Sequence, residues 1–127
     1  SRWPLCIDPQ MQAVQWIKEK EQANSLDILV SMSKLHEEAL KPIQFGHSVL
    51  FEAIDIEIDP MVDPLLEKNI TINAGIKYIK LSGDQVDWDD NFKLFLTTKL
   101  AKPAYPPEVF GKTMIINFNV TLQGLAD

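Results

Sequence analysis

The residues best placed to do chemistry run from Asp8 to Gln15, where a short apolar stretch, Leu5-Cys6-Ile7, meets a turn and then a helical pattern. A loop that wraps nucleotide phosphates sits in this setting. It needs Gly at its first and sixth positions, then Lys and Ser or Thr, because bare backbone N–H groups must surround the phosphates. On that frame this chain carries Asp8, Ala13, Val14 and Gln15. A helix N-terminus attracts anions through its dipole and free N–H groups. Asp8 sets a carboxylate in that place and occupies the donors itself, and Val14 offers no cation. As a helix cap followed by Pro9 in the first helical position, Asp8 contributes about 1 kcal/mol, the amount expected to be lost in Asp8→Ala.

Two further positions complete a nucleotide site, and both are degraded. An apolar run, Val49-Leu50-Phe51, leads to Glu52 and Ala53 where an Asp and then a Glu would hold metal and polarise water. Ala53 removes the general base. Glu52 alone, without phosphates, holds Mg²⁺ poorly. Thr97 and Thr98 end the run Phe92-Lys93-Leu94-Phe95-Leu96 where a polar sensor of the γ-phosphate belongs, and without the loop they bond nearby backbone. No residue is assigned a catalytic, cofactor-binding or metal-ligating role, and no cofactor is expected.

The remaining candidates read more simply. Glu52, Asp55, Glu57, Asp59 and Asp63 lack the loop glycine and bidentate Glu of a calcium hand, so Asp59 and Asp63 are turn and helix caps and the others are solvated. His36 and His47 have no Cys or His at ligand spacing. Trp3, Trp16 and Trp88 lack the basic surroundings of a base-stacking platform and are read as core or contact residues. Cys6, the single cysteine, cannot form an internal disulfide and fits a reducing, intracellular setting as a small buried residue.

The elements that carry these residues alternate. The chain has 127 residues, 46% hydrophobic and 24% charged, and is one domain. Its net charge of −6 without a Lys or Arg cluster excludes nucleic acid as a partner. No apolar run approaches the roughly 20 residues of a membrane span, and no signal peptide opens the chain. Both ends read as cut from something larger. Strands are expected at residues 3–7, 26–30, 48–54, 92–98 and 114–121, apolar without alternation, as in a sheet buried on both faces. Helices are expected from about Pro9 to Gln22, with Lys18-Glu19-Lys20-Glu21 as a solvated face, after Ser33 until Pro42 or Gly46, over Met61–Lys68 and as a turn over Glu108–Gly111. Residues 101–107 are expected to form a proline-rich loop. Residues 69–73, 76–81 and 85–88 alternate and read as a half-exposed antiparallel insertion. Alternating strands and helices imply right-handed crossovers and a mainly parallel sheet covered on both faces.

Arg2-Trp3-Pro4-Leu5-Cys6-Ile7-Asp8-Pro9-Gln10, Trp16-Ile17-Lys18, Ile58-Asp59-Pro60, Leu94-Phe95-Leu96-Thr97-Thr98-Lys99-Leu100 and Ile116-Asn117-Phe118-Asn119-Val120-Thr121 together resemble the fifth AAA+ module of the dynein heavy chain motor. The likeness is collinear over nearly the whole chain. Its opening block and Thr-Thr-Lys-Leu resemble axonemal chains, and Leu65-Leu66-Glu67-Lys68-Asn69 and Val109-Phe110-Gly111-Lys112 are similar to inner-arm ones. It departs from the pattern at Ala104 and Ala126, where His and an acidic residue are usual. The resemblance implies a three-layer αβα, P-loop-like large subdomain over residues 1–127, with a five-stranded sheet in the order 5-1-4-3-2 and a β-hairpin insertion, ahead of a helical small subdomain. It implies a ring of six modules in which the fifth binds no nucleotide and serves structurally. The partners would be neighbouring modules, and the microtubule only through the parent's stalk, in the cytoplasmic cytoskeleton of a cilium or flagellum. A residual nucleotide hydrolase using Glu52, or a small-molecule binder beyond the strands' C-terminal ends, are the other classes the residues leave open.

Overall fold

The computed structural model describes residues 2–29, 40–52, 63–81, 83–100 and 107–118. Its main strands are β1 (Trp3–Ile7), β2 (Asp27–Leu29) and β3 (Ser48–Phe51), followed after an insertion by β7 (Lys93–Thr98) and β8 (Thr113–Asn117). They form one sheet in the order β2-β3-β7-β1-β8, and every neighbouring pair is parallel. Numbered as five main strands, this is the order 5-1-4-3-2.

The apolar runs explain why the sheet has two covered faces. Successive side chains of a strand point to opposite sides. Leu5, Val49, Phe51, Leu94 and Leu96 enter one apolar layer, and Cys6, Leu50 and Phe95 enter the other. The first layer is closed by Ile43 of α2 (Leu40–Phe45), by Leu65 and Leu66 of α3 (Asp63–Leu66), and by the insertion. The second is closed by Ala13, Val14 and Ile17 of α1 (Gln12–Glu21). A last short helix, α4 (Pro107–Lys112), leads into β8. Among the described residues no helix is long and apolar enough to cross a membrane.

The insertion is a three-stranded antiparallel sheet in the order β4-β5-β6, formed by β4 (Thr71–Asn73), β5 (Ile76–Leu81) and β6 (Asp84–Asp87). Ile79, Leu81 and Val86 are buried against the first layer while β4 is exposed throughout. Its Ala74-Gly75 turn has φ of +54° and +81°, the twist that suits a two-residue hairpin. Trp3 ties the insertion's surroundings to β1. Its ring meets Phe92 edge-on, Phe92 meets Trp88 in the same way, and its Nε1 donates to the Leu65 carbonyl at 2.9 Å.

Several boundaries differ from the sequence reading. Helix α1 begins at Gln12, not Pro9, because Met11 is left-handed at φ +61° and breaks the helical path, so Asp8 is not a one-residue N-cap. Glu21 is not solvated but 1% exposed. Ala13, Ile17 and Glu21 are spaced by four, one line along the helix, and that line faces the sheet. Pro42 lies inside α2, and the helix ends at Gly46 (φ +73°), with the His47 N–H donating to the Pro42 carbonyl at 2.9 Å. The expectations for Ser33, Ala53, the 101–106 loop and the end of the fifth strand lie outside the described residues.

Gly46 also allows a close approach. A Cβ there would stand 2.6 Å from Asp89 Oδ1 and 2.9 Å from the Asn91 Cβ. Gly46→Ala is expected to lower stability by about 2 kcal/mol, through left-handed strain and displacement of an Asp89 carboxylate that accepts from the Asn91 N–H. Urea unfolding midpoints of the two chains measure it.

Candidate functional site

Parallel pairing brings the three candidate positions to one end of the sheet. Ile7 lies beside Thr98, and Phe51 beside Leu96, so Asp8, Glu52 and the two threonines all leave the C-terminal ends of neighbouring central strands. The first residue past β1 is held on the sheet's own ladder: the Asp8 N–H donates to the Thr98 carbonyl at 2.8 Å. The Phe118 N–H donates to the Ile7 carbonyl at 2.8 Å on the other side.

From that fixed point the Asp8 side chain, 1% exposed, reaches under the turn to the start of α1. Its Oδ1 accepts the Gln12 N–H at 2.7 Å and its Oδ2 the Val14 N–H at 3.0 Å. The Met11 N–H closes the turn on the Asp8 carbonyl at 3.2 Å. The carboxylate thus lies across the helix N-terminus as a bidentate acceptor, bonded to N–H groups that a phosphate would need. Such charge-assisted bonds are about twice as strong as neutral ones.

Ala13 and Val14 are both buried, packed with Cys6, Ile17, Leu50 and Phe95. The position where a phosphate-binding loop carries its lysine therefore belongs to the apolar layer beneath α1. Gln15 is exposed, and its N–H begins the helical ladder on the Met11 carbonyl at 3.3 Å.

Glu52 is held by its backbone, whose N–H donates to the Leu29 carbonyl at 2.9 Å, and its Oε2 lies 3.8 Å from Lys18 Nζ. Both side chains are partly exposed, so this ion pair contributes at most about 1 kcal/mol. Thr97 Oγ1 donates to the Phe51 carbonyl at 3.2 Å, and Thr98 Oγ1 accepts the Leu100 N–H at 3.1 Å. Both threonine hydroxyls thus bond backbone. Ala53, His36, Asp55, Glu57 and Asp59 are outside the described residues. Asp63 pairs with Lys112 Nζ at 3.3 Å. Among the described residues no three His, Cys, Asp or Glu side chains are grouped to hold a metal.

Cys6 reports the electrostatics of the loop from below. Burial first, and then the negative charge of Asp8, push its thiol up to about 12. At pH 8 only roughly one such thiol in ten thousand is thiolate. Native chain is therefore expected to resist iodoacetamide and to be labelled fully once unfolded in urea, with modification followed by intact mass.

Sequence reasoning missed one buried group altogether. The Glu21 Oε1 accepts Ser48 Oγ at 2.7 Å and Asn24 Nδ2 at 3.0 Å, with Lys93 Nζ 3.8 Å away. The spacing from Ala13 and Ile17 was the signal. Burial pushes its carboxyl up, but the bonds from Ser48 and Asn24 and the charges of Lys93 and Lys20 outweigh it and hold Glu21 below the ordinary carboxylate range. A carboxyl with a lower value folded than unfolded contributes stability that is complete above the unfolded value and lost as pH falls towards the folded one. The gap in urea midpoint between the parent and Glu21→Gln is accordingly expected to be full at neutral pH and to close as pH falls below the ordinary carboxylate range.

A family model described as the ATP-binding dynein motor region matches residues 1–127. This chain belongs to the dynein motor region family. It is 49% identical over 128 residues to dynein axonemal heavy chain 10 of Homo sapiens. It is 50% identical over 130 residues to the dynein-1-alpha heavy chain of the flagellar inner arm I1 complex of Chlamydomonas reinhardtii, and 43% over 128 to dynein axonemal heavy chain 5 of Mus musculus. All of this chain is covered in each comparison, and it spans about 3% of the length of each relative. The likeness to axonemal and inner-arm dynein chains is thus found at the level of whole-chain identity. This dynein motor region has a mainly parallel five-stranded sheet, with the Asp8 carboxylate bonded to the Gln12 and Val14 N–H groups at the head of α1.

Proposed function

We propose that this chain is a non-catalytic structural module of a dynein heavy chain motor ring, corresponding to the fifth module. It would act in microtubule-based ciliary or flagellar movement by passing on displacements that begin at active modules. One observation carries the reading: the Asp8 carboxylate bonds the Gln12 and Val14 N–H groups at the head of α1. A triphosphate arriving there meets negative charge in place of donors. It also finds no cation at position 14, whose side chain is buried. Lost charge-assisted contacts of this kind are worth about 1.5–3 kcal/mol each. The partners on this reading are neighbouring modules of the same heavy chain, and the microtubule only through the parent's stalk. Exposed apolar side chains, among them Phe45, Ile72, Ile76 and Met114, support packing against such neighbours. The axonemal and flagellar names of the relatives support a place in the axoneme.

Calorimetric titration with ATP and Mg²⁺ tests the proposal, and a flat response is expected. Saturable heat accompanied by turnover that Glu52→Gln abolishes would replace it with a residual ATPase.

A further inference from the structure

Helix α1 carries a second buried carboxylate at its other end. Ser48, whose hydroxyl donates to Glu21 at 2.7 Å, is the first residue of β3, and Lys93 is the first of β7. The two stand side by side in register. One oxygen of Glu21 therefore gathers the last residue of α1, the 3₁₀ turn that follows through Asn24, and the starts of two adjacent sheet strands. The choice of an acid here runs against the helix dipole, whose C-terminal end favours cations. A buried carboxylate also needs donors to stay charged. Three groups from outside α1 supply what the site requires, so its chemistry is directed at holding the helix rather than at ending it.

Asp8 mirrors this arrangement at the opposite, C-terminal end of the central strands. It follows β1 directly, is bonded to β7 through the Thr98 carbonyl, and accepts two N–H groups from the head of α1. Between the two acids, Ala13, Val14 and Ile17 pack on the sheet. A ten-residue helix is about 15 Å long, and this one is tied to the sheet at each end by a side chain that water does not reach. We propose that Asp8 and Glu21 form a two-point anchor that makes α1 and the parallel sheet a single rigid body. The anchor removes independent movement of α1 on the sheet. Its use in passing displacements through a ring rests on the structural-module reading, but the anchoring itself does not.

Native-state hydrogen exchange on the full chain tests the anchor. The amides of Gln15–Glu21 are expected to exchange through the same opening as those of β1 and β7. In Glu21→Ala the α1 amides are expected to exchange about tenfold faster while the strand amides stay within about threefold of the parent. Glu21→Gln keeps an acceptor for Ser48 but loses the charge, and should fall between. A parent helix that already opens separately from the strands would overturn the proposal. So would a Glu21→Ala chain in which helix and strands accelerate alike, the mark of a merely structural side chain. If Glu21→Ala does not fold, Ser48→Ala removes one donor and is read in the same way. The measurements are made without nucleotide, so ATP binding would defeat the structural-module reading while leaving the anchor to stand or fall on exchange.

Discussion

Val14→Lys is expected to destabilise the chain by about 3–5 kcal/mol, the range for an uncompensated buried charge, and to leave it without phosphate affinity. The substitution restores, on paper, the lysine of a phosphate-binding loop. In the fold, Val14 is 1% exposed and lies in the apolar layer with Cys6, Ile17, Leu50 and Phe95. An ammonium there must either be neutralised at a large shift of its pKa or drag the head of α1 away from the sheet. The second route breaks the bond from the Val14 N–H to Asp8. Val14→Met, apolar and without a charge, isolates the effect of size and is expected to cost less than half as much. Urea denaturation gives the stabilities, and titration with inorganic phosphate gives the affinity. A Val14→Lys chain as stable as its parent that bound phosphate would mean that this side chain faces the loop and not the core.

Asp8→Ala is expected to cost about 3 kcal/mol, more than the 1 kcal/mol of an ordinary helix cap. The reason lies in the geometry: two N–H groups at a buried helix end lose a shared charged acceptor, and each is worth about 1.5 kcal/mol or more. Asp8→Asn should recover little, because its amide presents an acceptor to one N–H and a donor to the other. Sulfate is expected to raise the urea midpoint of Asp8→Ala by more than that of the parent, by occupying the vacated anion position. A sodium chloride control at equal ionic strength, and the parent's own response, separate this from the general stabilisation that sulfate gives every fold. Equal gains in both chains would mean that the position does not accept an anion.

How far the residues announced this arrangement depends on how local each determinant is. The apolar runs at 3–7, 48–51 and 93–98 carry their own evidence of burial on both faces. The missing glycines and lysine between Asp8 and Gln15 are likewise visible position by position. The start of α1 was not legible, because capping rules weigh neighbouring residue types. Asp8 is instead fixed by the Thr98 carbonyl, on a strand far along the chain, and the turn absorbs the mismatch at Met11. Glu21 was misread for the same reason. In a run of four charges it looks solvated, and the donors that make its burial tolerable come from Ser48 and Lys93. Of the two stops the residues offered, Pro42 and Gly46, it is Gly46 that follows the last residue of α2, and Pro42 lies inside the helix.

The order of the strands also bears on how the chain comes to exist. β1 is made before the other strands of this region, yet its partners are β7 and β8, and Leu5 finds its neighbours at Leu96 and Ile115. Ribosomes add roughly 5–20 residues per second, so β1 waits on the order of ten seconds for either partner. During that interval Trp3-Pro4-Leu5-Cys6-Ile7 and the apolar side of α1 have no sheet to cover them. β2 and β3 can pair early, but the central position stays open until β7 arrives, and closing it requires loops of long reach. Nascent chains of this region are thus exposed to premature association through their earliest strand, and chaperone occupancy on the ribosome should persist until β7 has emerged.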